Sequence, residues 1–155
     1  DVFYRITRIM KKEEIDKQQA LDSRYMRMAT IWGENSYCIR RKVGALIVKD
    51  KMIISDGYNG TPSGFENICE DEDHKTKPYV LHAEANAITK IARSNNSSDG
   101  ATLYVTAAPC IECSKLIIQA GIKRVVYGEQ YRLDDGIKLL ERANIEVIFL
   151  NREEL

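Results

Sequence analysis

Long hydrophobic runs are missing from this sequence. The longest, such as residues 43–48, fall far short of the roughly 20 apolar residues that a membrane-crossing helix needs, so no membrane partner is expected. An excess of either charge is missing too. Lys plus Arg and Asp plus Glu stand at 23 each, which removes the global positive field of a general nucleic-acid binder and leaves only room for a local basic groove. No charged segment followed by an apolar stretch and a small-residue cleavage site is seen. The four cysteines therefore point to metal binding or catalysis before disulfides, and to a reducing, cytoplasmic setting. Repeats, low-complexity tracts and interdomain linkers are absent as well. At 155 residues and 44% hydrophobic content, one domain with a sizeable core is expected.

What is present reads as alternating elements. Residues 1–21 form an N-terminal extension without a clear apolar period, in which Met10 has the look of a native start, leaving residues 1–9 as added sequence. From Asp22 onward, Tyr25, Met28, Ala29 and Trp32 recur at helical spacing, with Asp22 or Ser23 available as a cap. "VGALIV", a turn at Lys49-Asp50-Lys51 and "MIISDGYNG" read as a hairpin that delivers Tyr58 and Asn59 at its end. A long loop, "TPSGFENICEDEDHKTKP", follows, and long ordered loops are often functional. Then "HAEANAITKIAR" reads as a helix. The second half alternates strand "TLYVT", helix "IECSKLIIQAG", strand "RVVYG", helix "LDDGIKLLERAN" and strand "IEVIFL". Strands joined by helices of about ten residues imply crossover units, so the fold class is α/β with a mixed five-stranded sheet.

Histidine is scarce, with two in the chain, and one of them stands in "VLHAEANAI", two residues ahead of a glutamate. Either residue alone would read as a satisfied core histidine or a carboxylate at a helix start. A second stretch changes the weighing: in "TAAPCIECSKLI", Pro109 leads into a helix with Cys110 and Cys113 on one face of its first turn, where the helix N-terminus favours thiolates. A lone Cys-x-x-Cys is often a redox pair or a structural zinc knuckle. With His82 as third ligand, however, the set describes a tetrahedral zinc with one position open, the arrangement of a catalytic site. Glu84 is then the natural proton carrier. His-x-Glu followed by Pro-Cys-x-x-Cys, here His82-Ala83-Glu84 and Pro109-Cys110-Ile111-Glu112-Cys113, is the signature of zinc nucleobase deaminases.

Together with "VGALIV", "GYNGTPSGF", "LHAEANAI", "GATLYVT", "PCIECSKLIIQAGIKRVVYGEQY" and "GIKLLERANIEV", this pattern resembles the deoxycytidylate (dCMP) deaminase family over residues 23–148. "GYNGTPSG" discriminates most, because other deaminases that share the metal motif do not usually carry it. The resemblance implies a cytidine-deaminase-like three-layer sandwich over residues 22–155, hydrolysis of dCMP to dUMP and ammonia for thymidylate synthesis, and a homo-oligomer, commonly a hexamer, regulated by dCTP and dTTP. It implies zinc held by His82, Cys110 and Cys113, Glu84 as proton shuttle, and Asn59 against the deoxyribose hydroxyl, with Tyr131 as a base or sugar contact. The alternatives are another free cytosine compound or modified base as substrate, or a non-catalytic zinc module.

For the phosphate of such a substrate, the "NGTPSG" backbone, the Thr61 and Ser63 hydroxyls, and Arg40, Arg41 or Lys42 are candidates, each with a solvated turn as its alternative. Cys38, Cys69 and His74 raise a further site, since positions matching the two cysteines help bind an additional structural zinc in some members of the family. No fourth ligand is evident, and free thiols are the favoured reading. The acidic run at residues 70–73 reads as a solvated loop, Arg93 as a surface arginine, and Ala107-Ala108 as a departure that leaves a backbone carbonyl to read the cytosine amine.

Overall fold

A computed structural model of the chain describes residues 2–155, with the side chains of Val2 and of residues 11–155. The elements are α1 (Val2–Gly33), β1 (Gly44–Lys49), β2 (Met52–Tyr58), α2 (Ala83–Ala92), β3 (Thr102–Val105), α3 (Ile111–Gln119), β4 (Arg124–Tyr127), α4 (Asp135–Arg142) and β5 (Glu146–Phe149), followed by a short 3-10 turn. The five strands form one sheet in the order β2-β1-β3-β4-β5. The β1–β2 and β1–β3 pairs are antiparallel, and β3–β4 and β4–β5 are parallel. The sheet is therefore mixed, as the alternation of elements predicts. Asp50 and Lys51 close the β1–β2 hairpin with φ of 51° and 62°, the left-handed pair that a tight two-residue turn demands.

Side-chain alternation along the central strands builds three layers. Ala45, Ile47, Leu103, Val105 and Val125 face a core completed by Ala83 and Ala87 of α2, Ile117 of α3 and Leu140 of α4. Leu46, Val48, Tyr104 and Val126 face the other way, against Met26 and Ala29 of α1. Both faces of β1, β3 and β4 are thus buried, which explains their near-continuous apolar runs. Each fully buried Leu, Ile or Val contributes about 1.5–3 kcal/mol relative to exposure.

The first helix departs from expectation. It runs unbroken from Val2, so residue 22 marks a change of packing inside one helix and not the start of a new element. Residues 11–19 are exposed throughout and consist mainly of good helix formers such as Lys, Glu and Gln, so this stretch is helical by propensity and carries no apolar period to read. The expectation about Met10 falls on a side chain outside the described residues. Further on, the buried stripe is Asp22, Met26, Ala29 and Gly33, while Met28 and Trp32 are 46% and 39% exposed.

Asp22 does not cap the helix. It is buried mid-helix, where Oδ1 accepts from the Tyr104 hydroxyl at 2.6 Å and Arg124 binds both oxygens at 2.8 and 2.6 Å. Burial alone would raise its pKa. The Arg124 guanidinium, the Tyr104 hydroxyl and the Gln18 amide outweigh burial and hold the carboxyl below the usual range. This network ties α1 to β3 and β4. No described helix is long and apolar enough to cross a membrane.

Candidate metal centre and its pocket

Two helix starts meet at the site. His82 is the N-cap of α2 and Cys110 the N-cap of α3, whose sulfur accepts from the Cys113 N–H at 3.5 Å. Each start is seated by a glycine. A Cβ on Gly57 of β2 would come within 2.5 Å of the Ala83 carbonyl oxygen and 2.7 Å of the Ala87 nitrogen, so only glycine lets α2 lie this close to the strand. A Cβ on Gly136, at the start of α4, would strike the Pro109 carbonyl oxygen and come within 2.8 Å of the Cys110 carbonyl carbon.

His82 Nδ1 lies 3.5 Å from Cys110 Sγ and 3.4 Å from Cys113 Sγ. Bond lengths of about 2.0–2.3 Å at tetrahedral angles place such donors roughly 3.5 Å apart, so the three atoms fit the corners of a zinc tetrahedron with one corner left over. Among the described residues this is the one group of three metal-ligating side chains whose donor atoms converge within 4.8 Å.

The electrostatics of the three donors agree. Donation from the Cys113 thiol first, and from the His82 ring second, takes the Cys110 thiol down to about 3, while Cys113, as the donor and buried, goes up. His82 is raised by its bond to Cys110 against the opposing effect of burial. These contacts favour the thiolate of Cys110, the form a metal binds. Glu84, in the first turn of α2, is 4% exposed, and burial pushes its carboxyl above the ordinary value.

The centre opens into a cavity of about 360 Å³ whose lining includes Arg40, Arg41, Asn59, Glu70, Glu84 and Tyr131. Of the residues expected from sequence, Asn59 and Tyr131 are brought in. Asn59 is 9% exposed, and its amide is already engaged with the neighbouring loop: Oδ1 accepts from the Val43 N–H at 2.9 Å and Nδ2 donates to the Arg41 carbonyl at 2.8 Å. The Tyr131 ring is 41% exposed, with the Arg41 guanidinium 5.7 Å and that of Arg132 5.9 Å from its centroid. Arg41 also pairs with Glu129 at 3.2 Å.

Thr61, Ser63 and Lys42 do not line the cavity, and the Thr61 hydroxyl is spent on the Glu66 carbonyl at 2.8 Å. Arg93 is exposed at the end of α2, and Ala107 and Ala108 line the cavity.

The further site of Cys38, Cys69 and His74 is not formed. Cys38 and Cys69 are joined by a disulfide, which leaves neither a thiolate for a metal nor the free thiols favoured from sequence. His74 is exposed at the tip of a small turn, with φ of 62°. The acidic run is not uniform either. Asp71, Glu72 and Asp73 are exposed, whereas Glu70 is half-buried and faces the cavity, a role that no local pattern in "EDED" signals.

Comparison with known proteins agrees with this geometry. The family model for the cytidine and deoxycytidylate deaminase zinc-binding region matches residues 19–129. The chain is 39% identical over 136 residues to the deoxycytidylate deaminase of Saccharomyces cerevisiae, a match that covers 81% of this chain but 43% of the yeast protein, so it spans less than half of that relative's length. The deoxycytidylate deaminase of Enterobacteria phage T4 is 35% identical, with 86% of this chain and 91% of the phage protein covered. The crystal structure of dCMP deaminase from the cyanophage S-TIM5 in complex with dCMP and dUMP superposes with a TM-score of 0.83 at 48% identity, covering 84% of this chain and 97% of that one. The three converging donors and Glu84 fall inside the matched region, and the chain belongs to the cytidine and deoxycytidylate deaminase family.

Proposed function

We propose that residues 22–155 form a deaminase domain that binds one zinc and hydrolyses dCMP to dUMP and ammonia, supplying dUMP for thymidylate synthesis. One observation carries the reading: a buried carboxyl, Glu84, stands beside a three-donor centre with a free corner, in a cavity that also presents Arg40 and Arg41. A zinc module that only supports structure would fill its fourth corner with protein, and burying a carboxyl beside it would bring only cost. The names of the yeast and T4 relatives, and the dCMP and dUMP held by the cyanophage structure, support the substrate.

His82, Cys110 and Cys113 would hold the metal, which when bound supplies a water acidic enough to react near neutral pH. Glu84 would take a proton from the attacking water and deliver it to N3 of cytosine as the water oxygen bonds to C4. It would then carry the remaining hydroxyl proton to the 4-amino group as the C4–N bond breaks and ammonia leaves. Water and dCMP are thereby balanced against dUMP and ammonia. Tyr131 at the mouth would cover the base or sugar, Asn59 would meet the deoxyribose hydroxyl with the bonding capacity its backbone contacts leave, and Arg40 and Arg41 would attract the 5′-phosphate.

The reading also includes assembly into a hexamer and control by dCTP and dTTP, both supported by family resemblance alone and checked by solution mass and by adding each nucleotide to the assay. It includes a cytoplasmic setting. Glutathione there would keep Cys38 and Cys69 reduced, so the thiol state of protein taken from cells tests the compartment.

The deciding experiment offers the zinc-loaded protein dCMP, deoxycytidine, CMP and dCTP in parallel and follows ammonia. Turnover of dCMP above the others is expected. Glu84→Gln should retain its zinc and lose roughly 10²–10⁴-fold in rate. Preference for another cytosine compound would replace the substrate, and near-normal turnover by Glu84→Gln would remove Glu84 from the mechanism.

A further inference from the structure

We propose that Glu70 is a positioning residue: its carboxylate clamps the backbone of the loop that carries Arg40 and Arg41, and so sets the affinity for the phosphate-bearing part of the substrate. The inference rests on the nucleotide reading above. Glu70 Oε1 accepts from two consecutive backbone N–H groups, Ile39 at 2.9 Å and Arg40 at 3.0 Å. Hydrogen bonds to an ionised acceptor are the stronger kind, and here one oxygen collects two.

Little else holds this stretch. Tyr37 and Ile39 are 64% and 87% exposed, so Cys38 is the one side chain of residues 37–39 that is buried. The flanks have their own ties: the Ser36 hydroxyl donates to the Asn59 carbonyl at 2.8 Å, and Asn59 accepts from Val43 and donates to Arg41. Between those flanks, the Cys38 N–H donates to the Ser36 hydroxyl at 3.2 Å, and the ties to the rest of the fold are Glu70 and the adjacent Cys38–Cys69 bond.

Glu70 is itself mounted rigidly. The Lys77 N–H donates to the Cys69 carbonyl at 2.7 Å and the Asp71 N–H to the Lys75 carbonyl at 2.8 Å, making a miniature antiparallel ladder around the Glu70–Thr76 bridge. The carboxylate thus reaches across the cavity wall from a fixed base. The oxygen that lies toward the loop is the one that collects both N–H groups.

The test uses full-length, zinc-loaded protein. In Glu70→Ala, KM for dCMP should rise roughly tenfold while kcat stays within about twofold, because two charge-assisted bonds are lost from the wall and none from the metal centre. The KM of deoxycytidine, which lacks the phosphate, should hold. Glu70→Gln keeps the carbonyl acceptor and should restore most of the affinity. Amide hydrogen exchange provides a second readout that does not depend on substrate: the Ile39 and Arg40 amides should exchange slowly in the wild type, faster in Glu70→Gln and faster again in Glu70→Ala.

If Glu70→Ala does not fold, the Glu70→Gln exchange rates decide. Unchanged exchange at Ile39 and Arg40, or an unchanged KM for dCMP in Glu70→Ala, overturns the proposal. Failure of the wild type to turn over dCMP overturns the substrate reading instead, while accelerated exchange in the variants would still support the clamp.

Discussion

The metal side and the substrate side of the cavity are built by different means. His82 and Cys110 start helices that lie against glycine-lined backbone at Gly57 and Gly136, with the apolar core directly behind them. The Arg40–Arg41 wall belongs to irregular chain, held by the Asn59 amide, the Glu70 carboxylate and the Cys38–Cys69 bond. Packing sets one side and polar or covalent ties set the other. A close-packed side answers to changes in volume, whereas a tied side answers to the loss of single bonds. Metal retention and substrate affinity should therefore be separable by mutation.

A lesion remote from both sides sets the baseline and carries the largest expected cost in stability. Asp22→Ala leaves the Arg124 guanidinium and the Tyr104 hydroxyl without their buried partner, with only Glu146, 3.4 Å from Arg124 and largely exposed, in compensation. Removing one member of such a pair should cost about 3–5 kcal/mol. Denaturant unfolding should show that loss, with KM and zinc content unchanged in the protein that remains folded. A change in either would mean that the α1 face communicates with the site.

The same carboxyl adds a pH signature. Because its folded pKa lies below the unfolded value of about 3.9, its contribution is fully present above that value and is lost as the pH falls through the folded pKa. Asp22→Asn should lack this part of the acid limb.

Cutting the covalent tie tests the substrate side. Cys38 and Cys69 are 31 residues apart, and opening a loop of that length should lower stability by about 3–4 kcal/mol if chain entropy governs. In oxidised protein, the Cys38→Ser/Cys69→Ser pair should show that loss and a raised KM for dCMP, with the zinc of His82, Cys110 and Cys113 retained. If intact mass under non-reducing conditions shows no two-hydrogen deficit, the tie is not covalent, and the Glu70 carboxylate and the Asn59 amide hold the wall.

The two sides also differ in how far the sequence discloses them. His-x-Glu and Pro-Cys-x-x-Cys are local patterns at helix starts, so the metal side is readable from a dozen residues, and the strand and helix order follows from apolar period and turn residues. The substrate side depends on pairs distant in the chain. Nothing local distinguishes Glu70 from the solvated acids beside it, nor Cys38 and Cys69 from free thiols, until the fold brings residues 34–43 and 60–80 together. Asp22 misleads for a related reason: an aspartate ahead of an apolar period resembles a cap, and its true partners lie 82 and 102 residues away. The part of α1 over residues 11–19 escapes detection because an exposed helical stretch has no inward face to mark it.

Gly136→Ala is the mildest lesion and tests the metal side. The added methyl meets the Pro109 carbonyl oxygen and the Cys110 backbone, neither of which is a flexible side-chain end that could swing away. Either α4 must withdraw or the turn bearing Cys110 must shift, at a cost of about 1–3 kcal/mol. The two responses are distinguishable. Withdrawal of α4 lowers stability and leaves the metal in place, because the donor atoms keep their 3.4 and 3.5 Å separations. A shift of the turn moves Cys110 Sγ away from His82 Nδ1, and zinc should then be lost to a competing chelator faster than from the wild type, with the KM of the remaining loaded enzyme unchanged. The second outcome is expected, since α4 is held by its own core residue, Leu140, at 0% exposure, whereas the Cys110 turn projects into the cavity. A raised KM with unaltered zinc retention would be the reverse pattern, and it would show that the two sides are not mechanically independent.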